Sequence, residues 1–211
     1  MPAFNESSQQ WGLLFILVGP PGVGKNAMMN SVLERITSLH QLPTATTRPI
    51  RSNEQEGREH LFVSTAEFQR MIDQGELIEW QVVHGHQYGT PRSTVQQAME
   101  TGQDLIADIE VLGATHLRSA FPENVILVFV QPPSVDELIH RMHNRGETEA
   151  EIQKRMQRVE MELRYAPECD YLITNDSIER ASDILRGIIL AEYSRRDLKR
   201  LRANSEALTP A

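Results

Sequence analysis

Residues 19–26 read GPPGVGKN, and they follow the apolar run Leu13–Val18, which is typical of a buried strand. An amphipathic pattern that predicts a helix comes next, in NAMMNSVLERITSL. Glycines between a strand and a helix let backbone N–H groups converge on phosphate oxygens, and the helix N-terminus adds positive potential. Lys25 stands where such loops place the lysine that bridges the β- and γ-phosphates. We therefore predict a nucleotide-phosphate loop, with a plain Gly/Pro turn as the alternative. The predicted loop residues are Gly19, Pro20, Pro21, Gly22, Val23, Gly24, Lys25 and Asn26.

The last position of the loop is unusual, because this pattern normally ends in a Ser or Thr whose hydroxyl binds Mg²⁺. Here the position holds Asn26. An amide oxygen is also a hard ligand, so we predict that Asn26 contacts Mg²⁺ directly or through water. The alternative is that Asn26 only caps the start of the helix, a role that Asn fills well.

The rest of the chain alternates short apolar runs with amphipathic segments. Buried strands are predicted at DLIADIE, NVILVFVQ and YLIT, and a capping box from Ser64 to Glu67 marks the start of one of the helices. Strands that alternate with helices imply an α/β fold, with a mostly parallel sheet covered by helices on both faces. The stretch from about 44 to 90 has many polar interruptions, so we interpret it as an inserted lobe.

Composition excludes several classes of protein. The 211 residues carry a net charge of −8, so the chain has no bulk attraction for nucleic acid or for an anionic membrane. The single cysteine, Cys169, cannot form an internal disulfide and fits a reducing compartment. No apolar run has the length of a membrane span, and the first ten residues lack the pattern of a signal peptide. We expect a cytoplasmic protein.

Four further stretches follow the loop in order: TATTRPIRSNEQEGREHLFVS, IEWQVVHGHQYGT, DLIADIEVLGA and HRMHNRG. With the loop, they make roughly residues 12–190 resemble the guanylate kinase family. The resemblance implies a P-loop NTPase fold that transfers the γ-phosphoryl of ATP to GMP or dGMP, with Mg²⁺ as cofactor. It implies GMP and ATP as small-molecule partners and leaves the oligomeric state open.

The resemblance also implies how a single domain, residues 1–211, is divided. The core comprises about 11–43, 91–140 and 156–201, and the GMP-binding lobe comprises about 44–90. A lid is expected at about 141–155 and a flexible tail at about 202–211.

The acceptor phosphate is assigned by the resemblance to Arg48 and Arg51, whose guanidinium groups suit a phosphate dianion. Tyr88 matches a tyrosine whose hydroxyl reaches the same phosphate, and Glu54 matches the acid that orients the arginines. His60 stands where the family has a second phosphate-binding tyrosine. The alternative for this group is a solvated, charged loop.

Guanine recognition is assigned to Glu79 and Glu110, with the hydroxyls of Thr44 and Thr90 lining the base pocket. A carboxylate accepts from N1–H and N2–H₂ of guanine, whereas adenine would leave it unpaired. Asp108 and Glu110 are expected on one strand, pointing the same way, with Asp108 holding Mg²⁺ through water. Glu79 could instead pair with a surface lysine.

The lid is expected to contribute three arginines, of which Arg141 and Arg145 are spaced i, i+4 and the third is Arg155. They would stabilise charge on the transferred group, unless they belong to a salt-bridged surface helix. Asn175 resembles a family position near the donor adenine. The residues that we expect to be catalytic are Lys25, Arg48, Arg141, Arg145 and Arg155.

Two other functions stay open at this point. A non-catalytic guanylate-kinase-like domain would bind a phosphorylated partner through Arg48 and Arg51, but it would have no use for the Gly19–Lys25 loop. A related P-loop kinase would act on another phosphorylated acceptor, but it would not need Glu79 and Glu110.

Overall fold

The computed structural model describes residues 12–52, 54–83, 85–144 and 146–207, which form two β-sheets with helices packed around them. The strands are β1 (Leu14–Val18), β2 (Leu39–Gln41), β3 (Thr44–Thr46), β4 (His60–Phe62), β5 (Leu77–Val83), β6 (His86–Pro91), β7 (Asp104–Asp108), β8 (Val125–Gln131) and β9 (Tyr171–Thr174). The helices are α1 (Lys25–Arg35), α2 (Thr65–Asp73), α3 (Arg92–Thr101), α4 (Val111–Ala120), α5 (Val135–Asn144), α6 (Glu149–Leu163) and α7 (Ile178–Ala207), with a 3₁₀ turn at Ala166–Glu168.

The core sheet has the strand order β2-β7-β1-β8-β9, and all its pairings are parallel. Its central strand β1 is completely buried, as its continuous apolar run predicts. Phe15 and Leu17 pack towards α1 and α7 on one face, and Leu14 and Ile16 pack towards α3 and α4 on the other. The predicted α/β fold with a mostly parallel, helix-covered sheet is therefore confirmed.

A second sheet of four strands, in the order β4-β3-β6-β5, lies between β2 and α3 in the chain. We call β3–β6 together with α2 the inserted lobe. Its small core contains Phe68 and Met71 of α2 packed near Ala45 and Leu77 of the sheet. Helix α2 begins as predicted, because the Ser64 hydroxyl accepts from the backbone N–H of Glu67 at 3.1 Å.

Two helix ends differ from the sequence-based expectation. Helix α1 ends at Arg35, since Leu39 belongs to β2 and pairs beside β7. Helix α7 was expected to end near Leu201, but it continues to Ala207. Residues 202–207, which were assigned to a flexible tail, are therefore helical, because no Gly or Pro interrupts the chain before Pro210. Residues 208–211 lie outside the described residues.

The parallel strands β1 and β7 end at the same edge of the core sheet, where open α/β sheets bind their ligands. The phosphate loop follows β1, and Asp108 is the last residue of β7. In the described part of the chain, no helix has both the length and the apolarity needed to cross a membrane.

Candidate active site

A cleft of about 850 Å³ lies between the phosphate loop, the end of β7 and the inserted lobe. It brings together most of the residues that the sequence analysis assigned to the site. The predicted residues that line it are Gly19, Pro21, Gly22, Gly24, Lys25, Asn26, Thr44, Arg48, Arg51, Glu54, His60, Glu79, Tyr88, Asp108 and Glu110. The residues predicted for the donor phosphates and those predicted for the acceptor thus face one shared space.

The loop needs glycine at two positions. Gly19 has φ +133°, and a Cβ there would lie 2.1 Å from the backbone oxygen of Val130. Gly24 has φ +102°, and a Cβ there would lie 2.5 Å from Nδ2 of Asn175. Both positions combine a left-handed backbone with no room for a side chain, so the loop conformation depends on them. The loop backbone then leads directly into α1 at Lys25.

The Lys25 ammonium lies inside the curve of the loop, where a phosphate group would be bound. It donates to the carbonyls of Gly19, at 2.5 Å, and Pro20, at 3.3 Å, and its side chain is only 11% exposed. Its Nζ also lies 3.6 Å from the Asp108 carboxylate. Two backbone carbonyl groups and the Asp108 carboxylate therefore hold the Lys25 ammonium at the loop.

Asn175 stabilises the phosphate loop through a buried hydrogen bond. Its side chain is completely buried, and its amide donates to the carbonyl of Val23 at 2.7 Å. Its Oδ1 is also buried and has no hydrogen-bond partner. A contact with the donor adenine would require this side chain to become exposed, so that role stays a prediction.

The side chains of Asn26 and Asp108, which were predicted to hold a magnesium ion, both line the cleft. The Asn26 side chain faces solvent, and the Asp108 side chain is 27% exposed. The surrounding protein atoms raise the pKa of Asp108, and the Lys25 charge opposes that shift. Magnesium at nucleotide sites keeps several waters and uses few protein ligands, so an amide and a carboxylate fit it. Among the described residues, no group of three or more His, Cys, Asp or Glu side chains could hold a metal ion.

Arg48 is fixed by the inserted lobe. Its Nη1 donates to Oε2 of Glu54 at 2.6 Å, its Nη2 donates to the other carboxylate oxygen, and its Nε donates to the Tyr88 hydroxyl at 3.0 Å. The Cζ atom lies 5.5 Å from the ring centroid of Phe62. Both charged side chains are nearly buried, 7% exposed for Arg48 and 10% for Glu54. The guanidinium thus has one orientation before any phosphate arrives.

The Arg48 hydrogen bonds hold the pKa of Glu54 at about 2, against the opposing effect of burial. The same carboxylate accepts from the backbone N–H of Arg51 at 2.9 Å. Glu54 therefore organises the backbone of the second predicted phosphate arginine, while the Arg51 side chain stays exposed at the cleft. This arrangement agrees with the predicted orienting role of Glu54.

His60 faces the cleft beside Tyr88, with their ring centroids 5.8 Å apart. Its Nδ1 lies 2.8 Å from the Thr44 hydroxyl, which occupies the neighbouring strand. Burial lowers the pKa of His60, and the nearby Arg48 charge lowers it further, against the acids Glu54 and Glu59. The structure thus places Thr44 as a partner of His60.

Glu79 projects from β5 into the cleft, and the buried Thr90 hydroxyl donates to its Oε1 at 2.5 Å. Burial raises the pKa of Glu79, and the Thr90 hydrogen bond opposes that shift. Glu110 also lines the cleft, but it does not share a strand with Asp108. That prediction was wrong, because β7 stops at Asp108 and Glu110 is the residue that precedes α4.

Of the predicted lid arginines, Arg141 and Arg155 do not line the cleft in this structure. The Nε of Arg141 donates to Glu137 at 2.8 Å, and the Nε of Arg155 lies 2.9 Å from Glu147. Both ion pairs are partly exposed, and they agree with the salt-bridged helix that the sequence analysis considered as the alternative. Arg145 lies outside the described residues. A catalytic role for these arginines stays a prediction that requires the side chains to turn towards the nucleotides.

Sequence reasoning missed several residues that line the cleft or contact the side chains that do. Glu162 of α6 is 5% exposed and lines it, although no motif marks this position. Phe62 contacts Arg48, and this contact depends on how β4 and β3 pair. Gly113 lies against Glu79, and only the three-dimensional packing of α4 on β5 reveals it.

Comparisons with known proteins agree with this geometry. A family model described as guanylate kinase matches residues 12–192. The guanylate kinase of Desulfitobacterium hafniense strain Y51 is 44% identical over 188 residues, which cover 89% of this chain and 94% of that protein. That of Caldanaerobacter subterraneus subsp. tengcongensis is 38% identical over 192 residues, covering 90% and 93%. The crystal structure of guanylate kinase from Anaplasma phagocytophilum matches with a TM-score of 0.68 at 29% identity, covering 87% of each chain. With its loop, fold and cleft, the chain belongs to the guanylate kinase family.

Proposed function

We propose that this protein is an ATP:GMP phosphotransferase, which transfers the γ-phosphoryl of ATP to GMP or dGMP and releases ADP and GDP. The observation that supports the proposal is that two separate cationic sites, each with groups suited to a phosphate, open into one cleft. Lys25 with its loop forms one site, and Arg48 with Arg51 forms the other. The reaction needs such a pair, because donor and acceptor both carry phosphate and must be brought into line.

In this mechanism the loop binds the donor. Backbone N–H groups of the loop and the α1 N-terminus bind the β- and γ-phosphates. The Lys25 ammonium moves from the carbonyls of Gly19 and Pro20 to the phosphate oxygens. Asn26 and Asp108 are the residues that would hold Mg²⁺. That ion would supply charge neutralisation on the phosphates of ATP.

The inserted lobe binds the acceptor. The Arg48 guanidinium, oriented by Glu54, and the Arg51 side chain bind the GMP phosphate, with Tyr88 and His60 beside them. Glu79 and Glu110 accept hydrogen bonds from N1–H and N2–H₂ of guanine, and Thr90 holds the Glu79 carboxylate. Adenine has an acceptor at N1 and no amine at C2, so these carboxylates would lose both of those donors, which favours GMP over AMP.

Transfer requires positioning and electrostatic stabilisation more than proton transfer. The attacking atom is a phosphate oxygen that is already ionised at neutral pH, so no side chain has to act as a strong base. Lys25 and Arg48 would stabilise charge on the phosphates, joined by Arg141, Arg145 and Arg155 when the lid closes. We also propose that the enzyme works in the cytoplasm, since its single cysteine suits a reducing compartment.

A coupled assay for ADP formation tests the proposal, with GMP, dGMP, AMP, CMP and UMP as acceptors and Mg²⁺ with ATP as donor. We expect activity with GMP and dGMP only. Binding of GMP without turnover would instead support the non-catalytic, phosphate-binding alternative. Turnover with a different phosphorylated acceptor would support the related-kinase alternative, and either result would contradict the proposal.

A further inference from the structure

We propose that Gly113 is a positioning residue for guanine recognition, because its lack of a side chain lets the Glu79 carboxylate lie against the first turn of α4. The inference rests on the proposed function, in which Glu79 contacts guanine. It adds a residue that touches no substrate and acts only through Glu79.

The contact between Gly113 and Glu79 leaves no room for a methyl group. A Cβ built on Gly113 would lie 2.8 Å from Oε2 of Glu79 and 3.0 Å from its Cδ. It would also lie 2.9 Å from Cγ2 of Ile109. Such distances are shorter than van der Waals contact, so both the carboxylate and the Ile109 side chain would have to move.

The backbone gives no reason for glycine at this position. Gly113 lies within helix α4, and it is not one of the described glycines with a positive φ. Glycine in a helix costs about 1 kcal/mol relative to alanine, so helix propensity alone favours alanine here. The need for space beside the Glu79 carboxylate explains glycine at this position, whereas helix propensity does not.

The Glu79 carboxylate is held on its other side as well. Thr90, which is completely buried, donates to Oε1 at 2.5 Å, while Oε2 is the oxygen next to Gly113. Both oxygens are therefore placed, one by a hydroxyl of the inserted lobe and one by a helix of the core. A methyl group at position 113 would push the carboxylate out of the site that Thr90 defines.

Charged neighbours act on the same carboxylate from α4 and from the residue before it. His116 favours its ionised form, and Glu110 disfavours it. Glu79 belongs to the inserted lobe and Gly113 belongs to a helix of the core, so their contact joins the two parts of the protein. The position of the carboxylate consequently depends on how closely β5 approaches α4 at Gly113.

The test is the Gly113→Ala variant, analysed in a double-mutant cycle with Glu79→Ala. A displacement of the carboxylate by about 1 Å can cost up to about a hundredfold, so we expect the KM for GMP to rise at least about tenfold and the KM for ATP to stay unchanged. In the Glu79→Ala background, Gly113→Ala should cause no further rise, because the carboxylate that the methyl group would displace is absent. Gly187→Ala is the matched control, since Gly187 also lies in a helix but has no atom within 4 Å of the added Cβ.

Several results would overturn the inference. One is a wild-type KM for GMP in Gly113→Ala, and another is an equal rise in both backgrounds, which would trace the effect to Ile109 packing. If Gly113→Ala does not fold, the double variant Gly113→Ala/Glu79→Ala must fold. If the double variant does not fold either, the inference is overturned. The failure of the proposed function is a distinct result, because the wild-type protein would then not phosphorylate GMP.

Discussion

Arg48 and Glu54 form a bidentate ion pair in which both side chains are almost completely removed from solvent. The pair fixes the guanidinium that faces the acceptor side of the cleft, and the Tyr88 hydroxyl accepts its remaining Nε–H. The pKa of Glu54 is lowered to about 2, so the pair contributes stability above the ordinary carboxyl pKa and loses it only as the pH falls towards about 2. The acceptor site is therefore organised by charge throughout the neutral range.

The Arg48→Ala variant should raise the KM for GMP by about 10- to 100-fold, the equivalent of about 1.5–3 kcal/mol for hydrogen bonds to a charged group. The KM for ATP should stay unchanged, because the donor loop makes no described hydrogen bond to Arg48. Steady-state kinetics with each substrate varied in turn measure both constants. Arg70→Ala is the control, since Arg70 pairs with glutamates on the surface of the same lobe. An equal loss for ATP and GMP would contradict the assignment of the two sites.

The Glu79→Gln variant should reduce the preference for GMP over AMP by about 1–3 kcal/mol, because an amide nitrogen cannot accept from guanine. The Thr90 hydroxyl can still donate to the amide oxygen, so the side chain should keep its position. The measurement is the ratio of kcat/KM for the two acceptors. Efficient use of AMP by the wild-type protein would show that the pocket is assigned wrongly.

His60 should make GMP binding depend on pH between about 5.5 and 7.5, around its ordinary pKa. Burial and Arg48 lower its pKa in the free protein, against Glu54 and Glu59, so the ring is neutral at pH 7. A phosphate dianion beside the ring favours the charged form, so GMP binding should take up a proton and weaken as pH rises.

The free protein should lose stability as pH falls below about 6.5, since a lowered pKa of His60 disfavours protonation of the folded state.

Calorimetry in buffers of different ionisation enthalpy measures this proton uptake directly. His60→Tyr should abolish the part of the pH dependence that exceeds the ionisation of the phosphate itself. An unchanged proton count in the variant would remove His60 from the explanation.

Asn26→Ser should lower the Mg²⁺ concentration needed for half-maximal activity at fixed ATP. The Asn amide is longer than a Ser hydroxyl, and its NH₂ has to turn away from the cation, so the ion should be held less tightly in the wild type. A Mg²⁺ titration of both proteins tests this. Superimposable curves would mean that Asn26 has no part in binding the metal and only occupies the start of α1.

Asn175→Asp should weaken ATP binding without a matching effect on GMP binding, because a carboxylate cannot donate to the carbonyl of Val23 in the loop. Loss of the hydrogen bond alone costs about 1 kcal/mol, which corresponds to a fall in Tm of about 2–4 °C for a chain of this size, and burial of the carboxylate should lower the Tm further. Thermal unfolding and the KM for ATP are the two measurements. A rise in the KM for GMP equal to that for ATP would contradict a role confined to the loop.

The sequence was most informative where the determinants of structure are local. The run from Leu13 to Val18, the following glycines and Lys25 specify a strand, a turn and a helix start within a short stretch, and all three were predicted. Strands β3 and β6 were missed, because three residues with two threonines, and a segment with Gly89 and Pro91, have no strand pattern of their own. Pairing with β4 and β5 makes them strands, and such pairing is not visible in a local window.

The site shows the same division between residue types and side-chain positions. The motifs indicated which charges belong to the cleft, but the ion pairs of Arg141 and Arg155 depend on which glutamate each side chain reaches. Glu110 was placed on a strand because nothing in DLIADIE shows that the strand stops at Asp108. The close approach of Gly113 to Glu79 depends on packing between elements far apart in the chain.

In the described part of the chain, the inserted lobe shares no strand with the core sheet, and this has a consequence for hydrogen exchange. The backbone hydrogen bonds of each sheet join strands of that sheet only. The lobe can therefore open locally while the amides of the buried strand β1 stay protected from exchange. GMP alone should then slow amide exchange in β3–β6, and a non-hydrolysable ATP analogue alone should slow it at the loop and α1. Both ligands together should extend protection to the contact between β5 and α4, where the two parts of the protein meet.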